Sequence, residues 1–355
     1  MAQFNAISRL YPAQKLPAIL RLLPLILGLL VAVVLATMYG AVNVPAGETL
    51  SVILTKLGIL HGHTTWPAGD EAIIWSIRFP RVVGVGFVGA ALALAGLLFQ
   101  AVLRNPLADP YVIGTAAGAQ LGVTIAILSP VTFDVLGFGP LQIAAFCGAL
   151  VTVLFVYGLA RTSGRTPVVT LLLAGFVLSS FLISATSFLA EANHRLDEMM
   201  TWTMGGVAIE SWSQLGVGVP IVLLGAAAVY LMSRHLDVIL LGEEQAAHLG
   251  VRVERLKLAA IVLAALLTSI AVTLSGIVPF VGLVVPHAAR MIYGPGHRML
   301  VPAVALGGAG FLILTDLVAR TLLAPTEIPL GVMAAILGAP FFLHLLRRSR
   351  RDYAI

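Results

Sequence analysis

The sequence predicts an all-α, polytopic membrane protein of about ten transmembrane helices, built as a single domain over residues 1–355. Three observations lead there. Of the 355 residues, 59% are hydrophobic and 10% are charged, and the mean hydropathy is +1.01; soluble domains carry about 25% charged residues. The apolar residues are gathered into runs long enough to cross a hydrocarbon core of about 30 Å. Basic residues favour one set of alternate loops, as the positive-inside rule requires.

The first apolar run, 22–41, follows Arg9, Lys15 and Arg21. A signal peptide has the same basic-then-apolar order. This run, however, is a full span of about 20 residues and ends at Tyr39-Gly40 without a small-x-small cleavage pattern. It reads as a retained first span. A loop containing His61 and His63 leads to further spans near 80–103, 111–128, 139–160, 167–190, 212–233, 257–275, 278–293, 301–322 and 329–346. The eighth is short and carries Pro279, Pro286, His287 and Arg290. Proline inside a helix removes a backbone donor and crowds the preceding turn, so this span is expected to be tilted or broken. A short additional helix is expected near 196–206.

With both termini in the cytoplasm, 16 of the 21 basic residues fall inside: Arg9, Lys15, Arg21, Arg104, Arg161, Arg165, Arg234, Arg252, Arg255, Lys257, Arg290, Arg298, Arg347, Arg348, Arg350 and Arg351. Lys56, Arg78, Arg81, Arg195 and Arg320 remain outside. The asymmetry supports an even number of spans. The net charge of +5 is scattered over short loops, which does not point to nucleic acid. Gly84, Gly86, Gly89 and Gly96 in the second span, with Gly307, Gly308 and Gly310 in the ninth, predict close helix packing. Cys147 is the one cysteine, so no intrachain disulfide can form. In its apolar run it reads as a small core residue.

Residues 234–257, RHLDVILLGEEQAAHLGVRVERLK, form a polar island that holds eight of the 37 charged residues. Within it, LGEEQAAHLG reads as a short helix bracketed by Gly242 before it and Gly250 after it, with Glu243 and Glu244 in its first turn, where carboxylates suit the helix dipole. Ala246, Ala247 and Leu249 give it a small, partly apolar face. Two turns of helix are not stable alone in water. Either the membrane domain or a cytosolic partner must hold it.

Chemical motifs are scarce. HExxH, GxSxG and a P-loop are all absent from the sequence. Asp316 precedes Arg320 by four residues, so the two share a helix face and suit a structural ion pair. As Asp316 is the one acidic candidate inside a span, an ion-coupled secondary transporter is disfavoured. His287 reads as a structural histidine bonded to a carbonyl freed by a neighbouring proline. His61 and His63, even with Asp70 and Glu71 nearby, read as a solvated loop, which disfavours a membrane-embedded metalloenzyme and predicts no metal site.

Seven stretches together resemble one known family: RFPR at 78–81, LFQAVLRNPLADPYVIG at 98–114, MMTWTMGG at 199–206, LGEEQAAHLGV at 241–251, FVGLVVPHAAR at 280–290, TDLVAR at 315–320 and EIPLGVMAAILGAPFFLHLLRR at 327–348. They resemble, in order and along nearly the whole chain, the permease subunits of ATP-binding cassette importers for iron–siderophores, haem and cobalamin, the FecCD permease family. Pro279 departs from the glycine usual before FVGL. The resemblance implies a type II importer bundle in a bacterial cytoplasmic (inner) membrane. It implies a homodimer with two cytoplasmic ATPases and one external binding protein, switching by alternating access. It further implies no enzymatic activity and no cofactor in this chain, ATP and Mg residing on the ATPase.

Residue by residue, it implies that Leu241, Gly242, Glu243, Glu244, Ala246, Leu249, Gly250 and Val251 seat on the ATPase, in line with the reading of the island. It implies that Arg78, Arg81 and Arg320 meet acidic residues of the binding protein; for Arg78 and Arg81, interfacial anchoring is the other reading. The translocation path of the family follows the fifth and tenth spans and the short helix after the fifth. Here that points to Ser180, Ser184, Met199 and Trp202, with packing as the other reading for the last two. His194 and Arg195 sit at the outer mouth beside Glu191, Asp197 and Glu198. Arg195 suits haem propionates and His194 a transient meeting with iron, so haem is favoured over an iron–siderophore or cobalamin. A solvated charge cluster is the competing reading.

Overall fold

The structure, a computed structural model, describes residues 17–40, 44–61, 66–162, 164–207, 209 and 211–349. Arg9, Lys15, His63, Arg350 and Arg351 lie outside the described residues. All ten apolar segments fold as helices: α1 (Ala18–Met38), α4 (Phe79–Val102), α5 (Thr115–Leu128), α6 (Pro140–Ala160), α7 (Val168–Ala192), α9 (Trp212–Ile239), α11 (Val253–Ser275), α12 (Val281–Tyr293), α13 (His297–Thr321) and α14 (Leu330–Ser349). Four short helices join them: α2 (Ala46–Lys56), α3 (Ala68–Ala72), α8 (Leu196–Thr203) and α10 (Glu243–His248). Seven of the described helices are long and apolar enough to cross a membrane.

Helix ends shift by a few residues throughout the chain, and three differences from the sequence reading are structural. The stretch 42–79 is not a plain loop. It holds α2, which turns Thr49, Val52 and Ile53 inward, and α3, which continues through a π-helical segment, Ile73–Arg78, into α4. The resulting 34-residue helix, Gly69–Val102, is about 50 Å long and must project beyond the hydrocarbon. Its amphipathic start carries too few apolar residues to register as a span. The sixth span runs on to Ile239 and the seventh begins at Val253, so Asp237 and Lys257 are helical. The eighth begins at Val281, three residues late, because Pro279 is followed by Phe280 with φ 71. With 13 residues, α12 is about 20 Å long and cannot span alone.

The core is centred on α4. In its most apolar window 89% of residues are buried, against 11% in α1 and 17% in α7. Small side chains let other helices approach from several sides. A Cβ on Gly89 would lie 2.2 Å from Gly308 O, so α4 and α13 cross backbone to backbone. Gly310 has nothing within 4 Å and plays no such part. Cys147 is exposed on α6 rather than in the core. An apolar run cannot separate the two cases, because the lipid-facing side of a span is as apolar as its core-facing side.

The contact of α4 with α12 repairs a proline defect. Pro286 has no N–H, so Gly282 O loses its helical donor. Gln100 Nε2 of α4 donates to Gly282 O (3.2 Å) and to Leu283 O (3.3 Å). Arg290 donates to Gln100 Oε1 (3.1 Å). One turn before Gln100, Gly96 makes room: a Cβ there would lie 1.9 Å from Gly282 O. The sequence assigns this repair to His287, but its Nδ1 is buried with no partner among the described residues.

Candidate functional sites

The polar island folds as expected into a short helix, α10, between two glycines. Gly242 has φ 121 and Gly250 has φ 85, a region that favours glycine. Ala246 is fully buried and fixes the inner face of α10. Leu241 and Leu249, at its two ends, are each 65% exposed. Glu243 is clipped to Lys257 Nζ of α11 (2.6 Å). Glu243, Glu244 and Ala247 line an open groove of about 750 Å³ with Arg165, Arg252, Val253, Glu254 and Arg255. Nearby, Asp237 at the end of α9 accepts from both the backbone N (2.9 Å) and the ring Nδ1 (2.7 Å) of His297, tying α9 to the start of α13.

At the other end, the structure brings Arg78, Arg81 and Arg320 into one cluster. Arg320 Nε meets Asp316 Oδ2 (2.8 Å), the pair expected from their spacing, and Arg320 Nη2 donates to Ala36 O (2.9 Å). Arg78 donates from Nη1 to Met38 O (2.9 Å) and to Thr37 O (3.3 Å). Both side chains are buried and close off the C-terminal end of α1. Arg81 lies further out, between Asp316 Oδ1 (2.9 Å) and Glu327 Oε2 (2.9 Å). Asp316 is 1% exposed, with one oxygen turned to each guanidinium.

The path candidates are divided. Ser180 and Ser184 lie on an exposed face of α7, each hydroxyl bonded to the carbonyl four residues back (2.9 Å for both). His194 adopts φ 56 just after α7, the left-handed position that ends a helix, and its side chain is exposed. Arg195 is paired with Glu198. Met199 is turned inward, buried, with Gln120 Nε2 3.6 Å from its Sδ. Trp202 is half-buried against the α5–α6 cluster around Ala119 and Ala145. Met200 and Met204 are exposed. Leu330 N donates to Gly205 O (2.9 Å), which joins the start of α14 to the end of this segment.

The sequence reading missed three residues. Lys257 was counted only as a cytoplasmic charge, Gln100 drew no notice as a neutral residue in a span, and Glu327 appeared only within a motif. Apart from Glu254, three residues before Lys257 in the same helix, their partners come from other elements, so no local spacing announces them. Among the described residues, no group of three or more His, Cys, Asp or Glu is placed to hold a metal ion.

Comparison with known proteins adds a family. The model of the FecCD transport family matches residues 28–348. The chain is 38% identical over 320 residues to the cobalamin import system permease protein of Halobacterium salinarum, covering 86% of this chain and 85% of that one. It is 38% identical over 296 residues to the hemin transport system permease protein of Yersinia pestis, covering 81% and 88%. Among solved structures, it matches an inward-facing conformation of a metal-chelate type ATP-binding cassette transporter with a TM-score of 0.78 at 29% identity, covering 92% of this chain and 98% of that chain.

Proposed function

The chain belongs to the FecCD transport family, as a multi-pass permease of an ATP-binding cassette importer, and from that membership we propose that it carries haem, as a homodimer working by alternating access. The relatives named for cobalamin, hemin and ferric dicitrate share bulky metal chelates as cargo. Haem is favoured here by the exposed His194 and Arg195 at the end of α7, one suited to iron and the other to propionates.

One observation carries the coupling reading. α10 is a six-residue helix flanked by Leu241 and Leu249, both largely exposed in an otherwise polar loop. Burying two leucines contributes about 1.5–3 kcal/mol each, and a cytoplasmic ATPase with an apolar cleft is the partner that supplies it. Glu243, Glu244 and the neighbouring groove complete the seat. Outside, the binding protein docks over the Arg78, Arg81 and Arg320 cluster through acidic residues. The exposed apolar face of α7 (Phe176, Phe181 and Phe188 among others) suits a second copy of the chain, with Ser180 and Ser184 facing the path between the copies. The membrane is the bacterial cytoplasmic membrane, with both termini inside.

Asp316, the acidic residue the sequence places inside a span, has both oxygens held by Arg81 and Arg320, which disfavours proton coupling through it. The test is uptake into proteoliposomes holding the permease and its cognate ATPase. Loaded binding protein is offered with haem, ferric siderophores and cobalamin in turn. The proposal expects haem uptake that needs both ATP and binding protein. Uptake of cobalamin or a siderophore alone overturns the cargo, and uptake driven by a proton gradient alone overturns the energy coupling.

A further inference from the structure

Lys257 joins α10 to the residues just before α7. Its side chain is 3% exposed. An ammonium has three donors, and here each is used by a different segment. Nζ meets Glu243 Oε2 of α10 (2.6 Å), Glu254 Oε1 of its own helix α11 (3.4 Å) and the backbone Thr166 O (3.3 Å). Thr166 N closes the ring by donating to Glu254 Oε2 (3.1 Å). Thr166 lies in the short connector that leads into α7. Thr162 and Arg165 exchange backbone bonds in a tight turn (2.9 and 3.0 Å), and Pro167, with its fixed φ, leads directly into α7 at Val168. One buried cation thus links α10 to the residue two places before α7.

We propose that Lys257 is a positioning residue that passes the motion of the ATPase seat to α7. The inference rests on the reading of α10 as that seat. It goes beyond that reading by naming the residue and the helix through which the seat acts on the path. The competing possibility is a staple that merely holds the loop in shape.

The assembled complex separates the two. Lys257→Met keeps much of the side-chain volume and removes the charge; removing one partner of an ion pair is costly where it leaves the other charge buried. Glu243 and Glu254 are each about a third exposed and stay hydrated without their partner. In proteoliposomes with the ATPase and loaded binding protein, Lys257→Met is expected to assemble and to hydrolyse ATP within about twofold of the parent, the scatter of non-interacting sites. Cargo moved per ATP is expected to fall about tenfold, in the middle of the range for residues of one salt-bridge network. Adding Glu243→Gln is expected to weaken ATPase assembly, because Glu243 belongs to the seat, but to lower the cargo moved per ATP by the assembled complex no further, and Lys257→Arg is expected to restore most of the yield.

An unchanged yield per ATP in Lys257→Met overturns the inference. So do losses that multiply in the double variant. If Lys257→Met does not assemble, Pro167→Gly decides, because it loosens the connector without touching the cation: a retained yield overturns the inference, and a lost yield with intact hydrolysis supports it. Leu249→Asp distinguishes the two levels. If it leaves ATPase assembly intact, the seat reading fails and the inference falls with it. If it blocks assembly while Lys257→Met transports normally, the inference alone fails.

Discussion

Gln100→Leu is expected to unpair the first turn of α12, and the cost follows from the bonds it removes. The Gly282 carbonyl, already without its helical donor because of Pro286, would lose Gln100 Nε2 at 3.2 Å. A buried carbonyl left unpaired costs about 2 kcal/mol. Arg290 would lose its acceptor at 3.1 Å; being partly exposed, it recovers part of this from water, leaving a cost of about 1 kcal/mol. The sum is about 3 kcal/mol. Pro286→Ala supplies the missing N–H from within the helix, so in that background Gln100→Leu no longer orphans Gly282 O. The favourable change in helix preference on replacing proline enters both arms of the cycle and cancels. A double-mutant cycle, followed by chemical unfolding in mixed micelles, should therefore give a coupling of about 2 kcal/mol, with the double variant less damaged by Gln100→Leu than the single. Costs that add within about 0.5 kcal/mol would refute the reasoning, because independent sites behave that way.

Three further outcomes follow from the same packing. Gly96→Ala places a Cβ 1.9 Å from the Gly282 backbone oxygen, with no flexible side chain to give way, so the yield of folded permease from membranes should collapse; near-normal yield would disprove the close approach. Asp316→Ala leaves the buried Arg320 without its counter-charge and should destabilise the protein by about 3–5 kcal/mol, seen as a lowered thermal midpoint, and a change under about 1 kcal/mol would show that the cluster is solvated. Glu327 is half-exposed and competes with an incoming carboxylate for Arg81. Glu327→Gln should tighten binding-protein docking by up to about fivefold at low salt, the reach of a surface pair, while Arg81→Glu weakens it; docking indifferent to both would remove Arg81 from the interface.

The ten helices were legible because lipid demands long apolar runs whatever the tertiary fold. The island was legible because eight charges in 24 residues cannot lie in hydrocarbon. Asp316 and Arg320 were legible because four residues is one turn. The remainder depended on partners distant in sequence. Lys257 is visibly three residues from Glu254, but Thr166 and Glu243 reach it only once α7, α10 and α11 have packed. Gln100 meets Gly282 across 182 positions. The inward turn of Met199 depends on Gln120 of α5, and its neighbour Met200 is exposed, although both lie in one motif. Cys147 shows the limit from the other side, since hydropathy cannot tell a lipid-facing position from a core one.

The arginine cluster constrains how an external partner engages it. Arg78 and Arg320 donate to Ala36, Thr37 and Met38 carbonyls, the free acceptors at the C-terminal end of α1, where a helix dipole favours cations. These bonds are buried, and withdrawing either guanidinium exposes carbonyls that no intrahelical N–H can satisfy. Arg81 carries no such duty. It is the most exposed of the three, and its Nη1 faces Glu327, a carboxylate that water solvates readily once displaced. A carboxylate arriving from outside would therefore meet Arg81 first and exchange with Glu327 at little cost. To reach Arg78 or Arg320 it must also uncap α1, the least buried span of the bundle. Contact with all three arginines would thus couple docking to a movement of α1, whereas contact with Arg81 alone would leave α1 in place.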